Sequence, residues 1–298
     1  MQRSVMVTGA TSGLGLATAL RLASAGYEVI ATARSDQQAD RLRAAAAERG
    51  VRLSVVLLDV ADASACRHVV DQVAEEGGGV PWALVNNAGI PLAGAVEDID
   101  DEAVRHLLEV NVLAPARLAR LLLPAMRRRG GGRIVNISSL GGRITAPGMG
   151  WYCAGKAALG AVNDALRMEA SPAGVQVVLI EGGGYASNIW NKAADGLREL
   201  ATDGRSPFAG MYQAAEAPLR AGGAMLPAPE PVARAVERAL GAARPRARYV
   251  IGARTRVRMV ADALVPHRVS DHVKRVALGT VGSHEWVEYV ARRWCRPW

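Results

Sequence analysis

The stretch Val5-Met6-Val7-Thr8-Gly9-Ala10-Thr11-Ser12-Gly13-Leu14-Gly15 passes from a short apolar run into a glycine-rich turn, and an apolar-periodic segment from Leu16 to Ser24 follows it. The order is strand, turn, helix. Glycines are needed where the backbone takes dihedrals closed to other residues, and where a phosphate group must reach the amides at a helix N-terminus, whose dipole favours an anion. A flexible βα turn with no ligand is the plain alternative for such a loop standing alone, so its reading depends on its surroundings.

Outward from this turn, short apolar runs recur at Val5 to Val7, Val29 to Thr32, Val51 to Leu58, Ala83 to Val85, Arg133 to Ile137, Val175 to Ile180 and Tyr249 to Ile251. Longer amphipathic stretches separate them. Continuous β-branched runs bounded by helical stretches mark a parallel sheet covered on both faces, because each crossover lays a helix on one face. The expected fold is α/β, a single doubly wound domain with a seven-stranded parallel sheet, and 298 residues suffice to enclose one large core. Residues 195–231, rich in Gly, Pro and Ala and poorly periodic, read as a long loop or lid within a body spanning residues 1–252.

Composition narrows the function. Half of the residues are hydrophobic and 21% are charged, as in ordinary globular proteins. With one Phe, six Tyr and six Trp, the chain lacks the stacking platforms of single-strand nucleic-acid binders, and no nucleic-acid partner is expected. The net charge of +8 sits at one end: residues 244–298 hold 12 Lys+Arg against 4 Asp+Glu, while the remainder balances at 24 of each. Arg outnumbers Lys 33 to 3, so a Lys inside a motif carries more information than usual. Cys66, Cys153 and Cys295 are odd in number and show no CxxC spacing, which argues against a disulfide framework or a zinc site; no metal is expected. The N-terminal MQRSVMVTGATSG lacks the longer apolar region of a signal peptide, and no uninterrupted run of about 18 apolar residues is present, so a cytoplasmic location is expected.

Further motifs stand at telling positions. Asn86-Asn87-Ala88-Gly89 follows the fourth apolar run, Asn111 falls in a helical stretch, and Ser139 ends the fifth run. Tyr152 and Lys156 are four apart, on one face of a helix that Pro147 and Gly148 open. Together with TGxxxGxG at residues 8–15, this set resembles the short-chain dehydrogenase/reductase family over roughly residues 4–252, including its usual spacing of 13 between Ser139 and Tyr152. Ala31-Thr32-Ala33-Arg34 and Tyr152-Cys153-Ala154-Gly155-Lys156 resemble the branch with 17β-hydroxysteroid and retinol dehydrogenases.

The resemblance implies a Rossmann fold and an oxidoreductase, a ketoreductase that moves hydride between a nicotinamide and a lipophilic ketone or secondary alcohol of steroid, polyketide, terpenoid or acyl type. Thr8, Gly9, Thr11, Ser12, Gly13, Leu14, Gly15, Asn87, Ala88 and Gly89 would line the cofactor. Tyr152 would be the acid or base, its phenol drawn down from about 10 by the Lys156 ammonium and the positive nicotinamide ring. Lys156 would also hold the nicotinamide ribose, Ser139 would donate to the substrate carbonyl, and Asn111 would hold a relay water. Each has a plain alternative: Asn111 as a buried polar residue, and Ser138 competing with Ser139.

At the end of the second strand, where NAD-preferring relatives carry an acidic residue, this chain has Ala33, and Arg34 matches the basic position of NADP-preferring relatives. NADP(H) is expected ahead of NAD(H), although a solvated Arg34 is an alternative in so Arg-rich a chain. By analogy Asp59 would meet the adenine amino group with Val60 beside it. After the sixth strand the family's Pro-Gly and Thr become Gly182-Gly183-Gly184-Tyr185-Ala186-Ser187. Three glycines predict a looser turn, with Gly183, Tyr185 and Ser187 toward the cofactor, and Tyr185 shaping the substrate pocket or simply packing.

Apolar residues flanking the presumed pocket, including Leu92, Leu140, Met149, Trp151, Ile189, Trp190, Phe208, Met211 and Tyr212, suit a lipophilic substrate, with Leu140, Met149, Trp151 and Trp190 foremost. Residues 253–298 form a basic C-terminal extension, expected as helices over Val257 to Gly279 and Ser283 to Trp298. Such an extension packs on the body, covers the pocket, joins a second subunit or makes peripheral contact with an anionic membrane. The extension would block the tetramer interface that the resemblance implies for shorter relatives, which leaves a dimer or a monomer, and a homodimer is expected. A redox-neutral epimerase or dehydratase and a non-catalytic NADP-sensing protein are the rival readings.

Overall fold

The computed structural model describes residues 3–77, 79–202 and 206–277. In chain order its elements are β1 (Ser4–Val7), α1 (Gly13–Ser24), β2 (Glu28–Ala33), α2 (Asp36–Glu48), β3 (Ser54–Leu57), α3 (Ala63–Glu76), β4 (Ala83–Asn86) and α4 (Asp101–Leu108). A π-helical turn (Glu109–Leu113) joins α4 to α5 (Ala114–Arg128), and β5 (Gly132–Ser139), α6 (Gly150–Ala170) and β6 (Val175–Gly182) follow. The chain then forms α7 (Ile189–Thr202), α8 (Ala209–Met225), α9 (Glu230–Gly241), β7 (Arg248–Ile251), α10 (Ala253–Leu264) and α11 (His267–Ala277).

All seven strands are parallel, in the order β3-β2-β1-β4-β5-β6-β7. The order reverses between β1 and β4, so the loops leaving their carboxyl ends part and open a crevice. Both faces of the sheet are covered, and the pleat of β1 shows how. Val5 and Val7 pack with Leu22 of α1 and with Val236 and Leu240 of α9, whereas Met6 points oppositely, among Cys66 and Val69 of α3 and Leu118 and Leu122 of α5. A smaller third cluster gathers Ala93, Ala95, Ala193, Leu197 and Tyr212 beneath α7 and α8, where the Tyr212 hydroxyl accepts from Ala95 N at 2.8 Å and donates to Asp98.

Two expectations need correction. The third strand is shorter than Val51 to Leu58, because Ser54–Leu57 is the stretch that pairs with β2, and among the described residues no strand lies beyond this edge. Residues 195–231 are no long loop: α7 and α8 fill most of the stretch, and their Ala and Leu content forms helix readily once Tyr212 is buried beneath. Pro218 inside α8 obscured the pattern. In the extension, the helices expected through Val257 to Gly279 are, within the described residues, α10 and α11, parted where Pro266 holds Val265 extended at φ −81° and ψ 131°. Ser283 to Trp298 lies outside the described residues. No described helix is long and apolar enough to cross a membrane.

Candidate active site

The glycine turn after β1 is built by backbone geometry. Gly9 and Gly13 have φ of 62° and 53°. A Cβ on Gly15 would lie 2.2 Å from the Gly9 carbonyl oxygen and 2.4 Å from Asn87 Nδ2, so only glycine lets the first turn of α1 sit this close to the loop. Thr8 Oγ1 accepts from the amides of Asn87 and Ala88, both at 3.0 Å, and Asn87 Nδ2 donates to the carbonyls of Thr8 at 2.9 Å and Gly9 at 3.0 Å. The loops after β1 and β4 are thereby locked across the crevice. Thr32, which the sequence reading passed over inside the second strand, accepts from Gly9 N at 3.1 Å and fixes the other side.

Ser12 begins α1 from extended backbone, makes no side-chain capping bond, and no acidic residue occupies the first turn. The first amides are left for an anion, and the missing Cβ of Gly13 leaves space that a side chain would take from Ser187, whose Cβ lies 2.8 Å from that position. Thr11, Ser12 and Leu14 belong to this turn, and its uncapped amides and the space left at Gly13 fit a pyrophosphate. Toward the edge of the sheet, Ala33 is buried and Arg34 exposed, the Arg34 amide donating to Gln38 Oε1 at 3.2 Å. Asp59 is exposed and accepts from Ala61 N at 3.0 Å through one carboxylate oxygen, leaving the other for a ligand; Val60 beside it is buried.

Asn111, Ser139, Tyr152 and Lys156 come together from three elements. Asn111 lies in the π-helical turn, which breaks the regular ladder and lets its side-chain amide pair with the Ile90 backbone, accepting from N and donating to O, both at 2.9 Å. A Cβ on Gly89 would meet Asn111 Oδ1 at 3.2 Å and Lys156 Nζ at 3.5 Å, so this glycine is what allows the two side chains to flank one spot. Lys156 Nζ donates to Ile137 O at 3.1 Å and lies 5.9 Å from the centre of the Tyr152 ring. Burial pulls its ammonium down to about 8.

The Ser139 hydroxyl accepts from Gly141 N at 3.1 Å and lines the cavity beside the Tyr152 ring. Ser138 instead donates to Lys156 O at 3.4 Å, which separates the two serines chemically. Burial pushes the Tyr152 phenol up, and the neighbouring Ser139 hydroxyl only partly opposes it. The expected lowering by Lys156 is therefore not a property of the protein alone: desolvation outweighs the favourable partners, and Tyr152 rests as a neutral phenol.

A polar chain missed in the sequence braces these elements. Asn86 Nδ2 donates to Asn136 Oδ1 at 2.8 Å and to Pro115 O at 3.2 Å, and Asn136 Nδ2 donates to Asn163 Oδ1 at 2.9 Å. It ties β4, β5, α5 and α6 through the core. Asn136, polar within an apolar strand run, was the available signal. Glu181, buried on β6, accepts from Arg143 Nε at 2.8 Å and Arg248 Nη1 at 2.9 Å, pinning the segment after Ser139 to the sheet.

The glycines after β6 do not loosen the turn. A Cβ on Gly182 would meet Tyr185 Cε2 at 3.2 Å, on Gly183 Thr255 Oγ1 at 2.7 Å, and on Gly184 Leu226 Cδ2 at 2.9 Å. Each missing side chain admits a different neighbour, so the turn is close-packed. Tyr185 is buried in the core and also borders the cavity, and its carbonyl accepts from Trp190 Nε1 at 2.7 Å. Ser187, against Gly13, borders the same cavity.

That cavity, of about 750 Å³, runs from Ser139 and Tyr152 to α10 and α11 and is mostly apolar. Leu140, Met149, Ile189 and Trp190 line it as expected, with Leu14 and Ser187 joining it to the glycine turn. Trp151 does not line it: one position along α6 from Tyr152 it is turned about 100° away, and its Nε1 donates to Val96 O at 3.4 Å. Phe208, Met211 and Tyr212 belong to the cluster under α7 and α8 instead. The extension covers the pocket, through Arg258, Ala261, Asp262, Val265, Ser270, Val273 and Lys274, none of which the sequence reading singled out.

Comparison with known proteins agrees with this geometry. Residues 3–197 match the family model described as short chain dehydrogenase. The chain is 33% identical to the uncharacterized oxidoreductase YbbO of Escherichia coli over 273 residues, 92% of this chain and 94% of that protein. It is 36% identical to 17-beta-hydroxysteroid dehydrogenase type 1 of Homo sapiens over 203 residues, 66% of this chain and 61% of the human one. Among solved structures, the actinorhodin polyketide ketoreductase with NADPH superimposes with a TM-score of 0.70 at 30% identity, covering 85% of this chain and 95% of that one.

Proposed function

Since the chain belongs to the short-chain dehydrogenase/reductase family, an oxidoreductase family, we propose that it is an NADPH-dependent carbonyl reductase acting on lipophilic ketones, with the corresponding secondary alcohols as products. The observation that carries this reading is the meeting of Tyr152, Ser139 and the buried Lys156 at the inner end of an apolar cavity that joins the glycine turn. Thr8 to Gly15, Asn87 to Gly89 and Ser187 would hold the dinucleotide, with the uncapped α1 amides toward its pyrophosphate. The NADPH-bound relative supports the cofactor class, and exposed Arg34 after an Ala33 that offers no carboxylate supports a 2′-phosphate.

NADPH, held by the glycine turn and Lys156, would supply the hydride that the carbonyl carbon takes. Ser139 holds the substrate oxygen beside Tyr152 and donates to it as negative charge develops. Tyr152, kept protonated by burial, gives its Oη proton to that oxygen. A neutral phenol at rest suits the reductive direction. Lys156 gains or loses a proton near neutral pH at little cost, its ammonium steadying the phenolate that Tyr152 leaves. Asn111 spends one donor and one acceptor on Ile90 and keeps one of each for a water between Lys156 and solvent.

The test is consumption of NADPH, with NADH in parallel, across lipophilic ketones and aldehydes, with Tyr152→Phe beside the wild type. Turnover should fall by about 10²–10⁴-fold in the variant while NADPH still binds, and NADPH should be preferred. Silence across the panel with NADPH bound would favour a redox-neutral enzyme or a sensor, and a fully active Tyr152→Phe would remove Tyr152 as the acid.

A further inference from the structure

The cavity's apolar walls carry charge in one place. Among its lining residues the charged ones are Arg258 and Asp262 on α10 and Lys274 on α11, so they all belong to the roof. Asp262 Oδ1 accepts from Lys274 Nζ at 2.8 Å and from Ser270 Oγ at 2.7 Å, and these partners hold the carboxyl below its usual range. The lining thus holds one carboxylate and two cations. The Asp262 clip ties α11 back onto α10 across Pro266, which explains Asp262, Ser270 and one donor of Lys274. It leaves Arg258, which forms no ion pair among the described residues, and the remaining donors of Lys274. The roof's charge is felt deep in the cleft: Lys274 draws down the thiol of Cys153, next to Tyr152, although burial dominates and pushes that thiol up.

Excess positive charge beside apolar walls rejects a cationic ligand and is relieved by an anionic one. A single negative charge balances this lining, and a dianion would overshoot it. We propose that the substrate is a lipophilic ketone that also carries a carboxylate, received at the roof by Arg258 and Lys274 while Asp262 and Ser270 hold Lys274 in place. The inference rests on the carbonyl-reductase reading and names the other end of its substrate. Arg258, exposed at the cavity edge, draws the anion in, and the partly buried Lys274 meets it inside.

The probes are straight-chain oxo-fatty acids of increasing spacing between ketone and carboxyl, each with its methyl ester, assayed on the full chain by NADPH consumption. At the best spacing the acid should show a KM roughly tenfold below its ester, as one charge-assisted contact supplies, and the ratio should shrink with salt. Arg258→Gln, which leaves the Asp262 clip intact, should bring the acid-to-ester ratio toward one, and Lys274→Gln should do the same. An ester bound as well as its acid, or a ratio unmoved by Arg258→Gln, overturns the proposal. If neither acid nor ester is turned over, the reductase reading fails separately, and tryptophan fluorescence, with Trp190 in the wall, reads binding directly. Acid binding above ester, lost in Arg258→Gln, would keep the subsite; equal binding would overturn it.

Discussion

The crevice after β1 and β4 and the roof made by α10 and α11 are both parts of one site, yet they are built on different principles. In the crevice the main chain does the holding: Thr8, Asn87 and Thr32 bond to backbone groups, and Gly15 admits a carbonyl where no other residue fits. In the roof, ordinary side chains on ordinary helices face a cavity, and Thr255 fills the space that a side chain on Gly183 would take. A backbone-built site tolerates few residue types at each position. A side-chain-built one can be remade without disturbing the fold, which is how one scaffold serves many substrates.

The sharpest way to break this contrast is Gly15→Ala. The added methyl meets a carbonyl at 2.2 Å and the Asn87 amide at 2.4 Å, so the loop or the helix has to move. A stability loss of at least about 3 kcal/mol and a fall in NADPH affinity of more than about 100-fold are expected, read by denaturant titration and cofactor fluorescence. An alanine variant that keeps both would mean that the crevice is as plastic as the roof.

Lys156 shows what the crevice sacrifices for its chemistry. With its ammonium at about 8 against an ordinary 10.5, the unfolded chain binds the proton more tightly between those values, so stability rises with pH across that window and the penalty is fully present below it. The shift corresponds to about 3 kcal/mol, of which about 1 would be returned by the lost hydrogen bond to Ile137. Lys156→Met should therefore be about 2 kcal/mol more stable than wild type at pH 7, and inactive, with the advantage fading as pH rises from about 8 to 10.5. Equal stability at pH 7 would show that water or a neighbour already compensates the charge.

Legibility divides along the same line. Gly9, Gly13, Asn87, Tyr152 and Lys156 were readable because close approach and an i, i+4 face demand those residue types at those spacings, and all seven strands were readable because buried parallel strands are continuously apolar. Thr32 and Asn136 were hidden inside such strands, where a polar residue leaves periodicity unchanged. Trp151 was misassigned because adjacency to Tyr152 in sequence is a 100° turn in space. Arg258 and Lys274 had no spacing to mark them, since only the packing of α10 and α11 across Pro266 turns them toward the cavity.

A smaller effect tests whether the roof is nevertheless part of the body. Gly183 does not need a left-handed backbone, so Gly183→Ala acts through one contact, the 2.7 Å approach of its new methyl to Thr255 Oγ1. It should cost about 1–2 kcal/mol, and Thr255→Ala placed in the same chain should recover most of that, because the next Thr255 atom lies 3.9 Å away. A favourable coupling in this double-mutant cycle would mean that α10 is seated on the turn after β6 in solution. Simple additivity would mean that the roof yields freely, and the cavity it covers would then have to be shaped by the substrate rather than before it arrives.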